Sequence, residues 1–180
     1  MTLPTISSLT IRPCEEADIP AITEIYRDAV LHGRASFEID PPSVDMMLER
    51  RRLLVEGNYS YVVAEIDGKV AGYAYAGAYR PRPAYGAVVE NSVYIDPAKK
   101  GMGIGRKLLD ALIEDATSRG FRQMIAVIGD SANAASIGVH RAAGFEHVGT
   151  FKSIGWKHGQ WLDTVLMQRA LGDGDTTPRF

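Results

Sequence analysis

The chain has 180 residues, 46% of them hydrophobic, with 20 Lys and Arg against 22 Asp and Glu for a net charge of −2; this length is most simply one domain with a substantial core, and the charge balance offers no basic surface for nucleic acid or an anionic membrane. No apolar run is long enough to span a bilayer and no basic segment followed by an apolar core opens the chain, which makes the cytoplasm the default compartment. The single Cys14 cannot form an internal disulfide, and the scattered His32, His140, His147 and His158 have no metal-binding spacing, so no metal site is expected.

Ser8 to Arg12 reads as a first strand. Asp18 is placed to cap a helix whose apolar face carries Ile19, Ile22, Ile25, Tyr26 and Val30. Residues 33–43 form a loop, with Phe37 exposed among polar neighbours and Pro41-Pro42 closing it. Ser43 is the cap of a second helix that uses Val44, Met47, Leu48, Leu54 and Val55. Tyr61–Ile66 and Val70–Tyr79 read as a hairpin around Asp67-Gly68. The Pro-rich loop Arg80–Tyr85 leads to a strand, Val88–Ile95. Past a glycine-rich turn, a helix stacks Ile104, Leu108 and Leu112 on one stripe, with Leu109, Ile113 and Ala116 beside it. Met124–Ile128 is a strand, Asn133–Ala143 a short helix ended by Gly144, and two late strands flank Gly155–Gln160. Residues 172–180 are expected to fray, leaving one α/β domain over residues 1–171. Its predicted architecture is a mixed sheet with helices on both faces.

The turn between strand and helix is the most informative stretch. Val93, Tyr94 and Ile95 break at Asp96-Pro97, and Gly101, Gly103 and Gly105 follow at alternate positions. Alternate glycines let successive backbone N–H groups converge on one anion, and the helix N-terminus adds its own donors and dipole. Lys99, Lys100, Arg106 and Lys107 crowd the same place. The pattern reads as a pyrophosphate cradle, against the plainer alternative of a glycine-rich surface turn. A Walker loop does not fit: counting from Gly101 reaches Arg106, Lys107 and Leu108, without the second glycine or the hydroxyl. A G-x-G-x-x-G fingerprint fails as well, since its third glycine falls on Arg106 or Leu108.

Three further groups carry chemistry. Glu90 stands in an otherwise apolar strand, where a carboxylate needs a partner or a task. Desolvation would raise its pKa toward that of a base for an ammonium group; pairing with Arg80 or Arg82 is the structural alternative. The Arg80-Pro-Arg82-Pro-Ala-Tyr85 loop offers two guanidinium forks and a phenol, which suit a carboxylate anchor; a solvated basic loop is the alternative. His140 lies seven residues after Asn133, two turns along the same helix face, and reads either as a proton donor or as a packed histidine.

The run Lys100, Gly103, Gly105 between strand and helix resembles the acyl-coenzyme-A loop of the GNAT superfamily of N-acetyltransferases, usually Gln/Arg-x-x-Gly-x-Gly/Ala, with Lys100 in the lead position. Arg80-Pro-Arg82-Pro-Ala-Tyr85 followed by Glu90-Asn91-Ser92-Val93-Tyr94 resembles the phosphinothricin and L-amino acid acetyltransferase branch. Gly86-Ala87-Val88 stands where that branch commonly has an aromatic residue and a threonine. Asn133-Ala-Ala-Ser136, with His140 and Gly144-Phe145 after it, is similar to the superfamily's pantetheine segment. The resemblance spans about residues 9–170 and implies the GNAT fold. It also implies direct acetyl transfer from acetyl-CoA to the amine of an amino acid or analogue such as phosphinothricin, methionine sulfoximine or methionine sulfone. By the same resemblance, the coenzyme lies along Val93, Tyr94 and Ile95, with its pyrophosphate on Lys100, Gly101, Met102, Gly103, Ile104, Gly105 and Arg106. Asn133 and Ser136 face the pantetheine arm, Arg80, Arg82 and Tyr85 hold the substrate acid, and Glu90 is the base. His140 or water protonates the thiolate. Phe37 is a candidate pocket wall, Trp161 and Met167 are core or dimer contacts, and a homodimer is expected. Two other readings remain open: an acetyltransferase for another amine (polyamine, aminoglycoside or protein terminus), and a coenzyme-A-binding sensor without turnover.

Overall fold

Asp67 and Gly68 both take left-handed backbone, with φ 52° and 73°. That is the two-residue turn whose twist matches a hairpin, and it joins β2 (Tyr61–Ile66) to β3 (Lys69–Ala78). The computed structural model describes residues 8–179. The other strands are β1 (Leu9–Pro13), β4 (Val88–Ile95), β5 (Gln123–Gly129), β6 (Glu146–Lys157) and β7 (Gln160–Ala170); the helices are α1 (Ile19–His32), α2 (Val44–Glu56), α3 (Ile104–Ser118) and α4 (Ala134–Ala142). The strands form one mixed sheet of seven in the order β1-β2-β3-β4-β5-β7-β6. Every neighbouring pair is antiparallel except β4 and β5.

Strand alternation sorts two cores onto the two faces. On one face Val62, Ala64, Ala74, Ala76 and Val89 meet α3 through Ile104, Leu108, Leu109 and Leu112, and α4 extends this core with Ala143 and Phe145 beyond it. Each large apolar side chain buried this way stabilises the fold by about 1.5–3 kcal/mol. On the other face Tyr61, Val63 and Tyr73 meet α1 and α2 through Ile19, Ile22, Tyr26, Val30 and Met47. This second core is aromatic: the Tyr73 and Tyr94 rings stack at 5.4 Å and Tyr26 meets Tyr94 edge-on at 5.0 Å. Val55, expected on the inner face of α2, is exposed on its last turn.

Three local readings are corrected. Asp18 does not cap α1 with its side chain. Its carboxylate instead receives the Arg12 fork, at 2.8 Å to each oxygen, and the Glu15 N–H at 2.8 Å. Arg12 also donates to Glu65 at 2.9 Å, so one guanidinium ties β1, β2 and the entry to α1. The late strands run past Gly155 and turn only at His158-Gly159, again with both φ values positive (52° and 70°). Residues 172–179, expected to fray, turn back onto Arg122, which donates to Gly174 O at 3.0 Å and Pro178 O at 3.0 Å. Ser43 does cap α2, accepting from Met46 N–H at 3.2 Å.

The fork from Arg12 holds the Asp18 carboxyl below its usual range, against an opposing effect of burial. A depressed folded-state pKa stabilises above the ordinary carboxylate range and stops doing so as pH falls through it. Asp18→Asn should therefore lower unfolding free energy by about 1–3 kcal/mol at pH 7, with the gap closing toward pH 3; urea unfolding at both values checks it.

Candidate active site

The parallel pairing of β4 with β5 covers only Val88–Asn91 against Gln123–Ala126. Ser92–Ile95 remain bonded to β3, and Val127–Gly129 remain bonded to β7. The two strands therefore part, each keeping its outer partner, and open a cleft between them. Asn91, Ser92, Val93 and Tyr94 line one wall; Ala126, Val127, Ile128 and Gly129 line the other, with Asn133, Ser136 and His140 of α4 nearby. Beyond Asn91 the inner edge of β4 consequently has no strand partner on that side.

The glycine turn stands at the open end of this cleft. Gly101 and Gly103 take φ 79° and 76°, and a Cβ at either would meet nothing within 4 Å. Conformation therefore demands glycine at both, and the space above them is free. Lys107 N–H makes the first bond of α3, to Gly103 O at 3.4 Å. The N–H groups of Ile104, Gly105 and Arg106 thus have no intrahelical partner and point out of the helix end. Ile104 is buried, whereas Lys100 and Met102 are exposed. The Arg106 guanidinium does not face the cradle: it donates to Asp110 at 2.8 Å and Ala142 O at 2.7 Å, tying α3 to α4. Of Arg106, only the backbone N–H is available to an anion there. The open donors, the left-handed glycines and the parted strands fit a pyrophosphate with an extended thiol arm.

Glu90 points to the face opposite α3, since its neighbours Val89 and Asn91 are buried on the α3 side. Among the described residues it has no hydrogen-bond partner, and burial raises its pKa, opposed only by the charge of Arg80. Its register neighbour Ile125 continues with Val127 and Leu166 along the same face of β5 and β7, which no helix covers. One end of this bare floor is bounded by Tyr79 and Tyr85, which lie with Val88, Ile125, Val148 and Leu166 around a single depression. The Arg80–Tyr85 loop is exposed. It is braced by Gly86 N–H to Pro83 O at 3.0 Å and by edge-on contact of the Tyr79 and Tyr85 rings at 5.6 Å, and Arg80 stands 5.2 Å over the Tyr79 ring.

Phe37 bounds the other end. Its ring lies where a Cβ on Gly155 would fall, and 2.6 Å from a Cβ built on Gly129. Its loop is anchored by residues that local sequence did not single out. Glu38 accepts from Tyr26 Oη at 2.8 Å and from both Arg50 nitrogens at 2.7 and 3.2 Å. Burial works against the Glu38 carboxylate, but Arg50 and Tyr26 outweigh it and hold its pKa below the usual range. The buried Lys157 ammonium donates to Ser36 O at 2.7 Å.

His140 lies on the opposite face from Glu90. Its Nε2 is 2.9 Å from Asn91 Oδ1 and its Nδ1 is 2.8 Å from Ser136 O. Asn91 Nδ2 donates to Ile125 O at 3.2 Å, which fixes the amide's orientation. Both ring nitrogens thus face acceptor oxygens, and burial lowers the His140 pKa against the effect of the Ser136 carbonyl, so the neutral ring donates through one nitrogen at a time. This is the geometry of a latch across the point where β4 and β5 part. Asn91 escaped the sequence reading, although a polar side chain at a core-facing strand position was a usable signal. Asn133 caps α4 by accepting from Ser136 N–H at 3.1 Å and donates to Gly129 O at 3.1 Å. One amide hydrogen and one lone pair remain for a ligand.

Comparison with known proteins adds an independent line. The family described as Acetyltransferase (GNAT) domain matches residues 11–166. A phosphinothricin N-acetyltransferase of Alcaligenes faecalis is 51% identical over 168 residues, covering 93% of this chain and 85% of that protein. An L-methionine sulfoximine/L-methionine sulfone acetyltransferase of Salmonella typhimurium is 42% identical, covering 92% and 96%. The crystal structure of a GNAT superfamily phosphinothricin acetyltransferase from Sinorhizobium meliloti in complex with AcCoA superposes with a TM-score of 0.92 at 50% identity, covering 94% of this chain and 92% of that one. With the parted strands and the open glycine cradle, these matches establish the chain as an enzyme of the GNAT acetyltransferase family.

Proposed function

We propose that this enzyme moves the acetyl group of acetyl-CoA to the α-amine of an amino acid or a close analogue of phosphinothricin or methionine sulfoximine, in the cytoplasm. The observation that carries this reading is Glu90, a desolvated carboxylate without a hydrogen-bond partner among the described residues, beside an arginine loop and next to the parting strands. The cradle N–H groups hold the pyrophosphate, and the free edge of β4 orients the thioester. Arg82, Arg80 and Tyr85 hold the acceptor's carboxylate, and Phe37 closes the far end of the floor over its side chain. Glu90, directly or through one water, takes the ammonium proton, and the freed amine attacks the carbonyl. His140 keeps the two walls in place. The thiolate takes its proton from water, since the buried His140 ring lies against Asn91 and the Ser136 carbonyl.

A cationic acceptor is disfavoured by the same arginines. A covalent relay has no candidate, since Cys14 is buried and its thiol is pushed up to about 11. Phosphinothricin and methionine sulfoximine, the acceptors named for the two relatives above, each carry a carboxylate and an amine, which the loop and the base match.

The deciding experiment is thiol release from acetyl-CoA with phosphinothricin, methionine sulfoximine, common amino acids, spermidine and an aminoglycoside. Release with an amino acid and its loss with the corresponding methyl ester are expected. Release with the cationic acceptors alone would sink the reading. Arg82→Ala should raise the KM for the acid while leaving the weak turnover of the ester unchanged.

Glu90→Gln should lower kcat/KM by about 10²-fold or more and abolish the acidic limb of the pH–rate profile. That limb should lie above the ordinary carboxylate range, because burial raises the group's pKa. A raised carboxyl pKa means the folded state binds more protons than the unfolded one, so stability falls as pH rises through that window. The same variant should therefore melt at or above the parent's temperature at pH 7, in a thermal scan.

We further propose a homodimer. Phe151, Ile154, Trp156 and Trp161 are 52%, 56%, 57% and 62% exposed on the β6–β7 hairpin, more apolar surface in one place than a monomer ordinarily shows. Trp161→Glu should convert the dimer to a monomer in sedimentation.

A further inference from the structure

The family match ends at residue 166, yet the chain beyond it is built into the protein. Leu171 and Gly174 are buried, and Leu171 N–H donates to Arg122 O at 2.9 Å. The Arg122 side chain then holds the segment at three points. Nη1 donates to Gly174 O at 3.0 Å; Nη2 donates to Thr177 Oγ1 at 2.9 Å and to Pro178 O at 3.0 Å. Bonds from an ionised donor are the stronger kind, and one rigid fork makes all three.

The main chain of Arg122 holds something else. Its N–H donates to Ala87 O at 2.8 Å, and Gln123 N–H reaches the same oxygen at 3.3 Å. Ala87 follows the Arg80–Tyr85 loop by two residues. At the far end of the segment the Arg179 guanidinium lies against Gly86, where a Cβ would come within 2.9 Å of its Nη1. One residue thus clamps the loop with its backbone and the tail with its side chain, and the tail closes over the loop's glycine. The loop needs such a clamp. Residues 80–86 are all exposed, and a segment with few buried contacts opens locally at little cost. An acceptor that had to order it would bind more weakly.

We propose that residues 172–179, gripped by Arg122, form a strap that keeps the Arg80–Tyr85 loop in its acceptor-binding shape, with Arg122 as a positioning residue. The kinetic part rests on the acceptor reading above, and the structural part does not.

The test compares the full chain with Arg122→Ala and with a chain ending at Gly172, by steady-state kinetics and by amide hydrogen exchange. Both variants should raise the acceptor KM by about tenfold, while kcat and the acetyl-CoA KM stay within about twofold, the pattern of lost uniform binding. Exchange at Tyr85 and Gly86 should quicken in both, with the α3 amides unchanged. If both KM values rise together, or if the variants only melt earlier, the strap is merely structural and the inference is overturned. Unchanged exchange at Tyr85 and Gly86 overturns it as well. An inactive parent enzyme with quickened loop exchange in the variants would overturn the acceptor reading and leave the strap standing.

Discussion

Parallel pairing between β4 and β5 stops at Asn91 and Ala126 because each strand keeps bonding to its outer neighbour while the inner edges separate. A sheet interior ordinarily has no free backbone donors or acceptors, since burying them unpaired is costly. The edge that β4 exposes in the cleft is an unpaired strand edge inside a domain. The glycine turn, the α4 cap and the latch at His140 all take their positions from that parting.

The two chemistry-bearing residues that sequence placed together, Glu90 and His140, are separated by the sheet itself. Glu90 looks toward the uncovered floor, with no hydrogen bond among the described residues to hold down its pKa, and His140 reaches from α4 to Asn91 on the other face of β4. Their difference follows from strand alternation, because Asn91 rather than Glu90 is the histidine's partner. The desolvated carboxylate and the hydrogen-bonded histidine therefore sit on opposite faces of one strand.

Elements governed by local rules were legible from sequence. The Ser43 cap and the Asp67-Gly68 turn depend on a few adjacent residues and formed as read. Side chains whose partners lie far along the chain were not. Arg106 looked like a phosphate ligand, yet its guanidinium serves a carbonyl 36 residues away. Lys157 meets a carbonyl 121 residues away, and Arg122 meets the tail 52 residues away. A flexible cation near an anion site in sequence has many possible partners, and only the assembled sheet selects one. Asp18 shows the same limit at short range, because the competing partner Arg12 comes from a strand rather than from the helix it precedes.

The contact of Phe37 with Gly155 bears on how such a pocket diversifies. The three atoms nearest a Cβ at position 155 all belong to the Phe37 ring, whereas at position 129 the backbone oxygen of Arg34 also stands in the way, 2.8 Å off. A side chain at position 155 therefore first requires the Phe37 ring to give way, whereas at position 129 the Arg34 backbone would have to move as well. The order of those two changes sets the route by which this end of the floor can be reshaped.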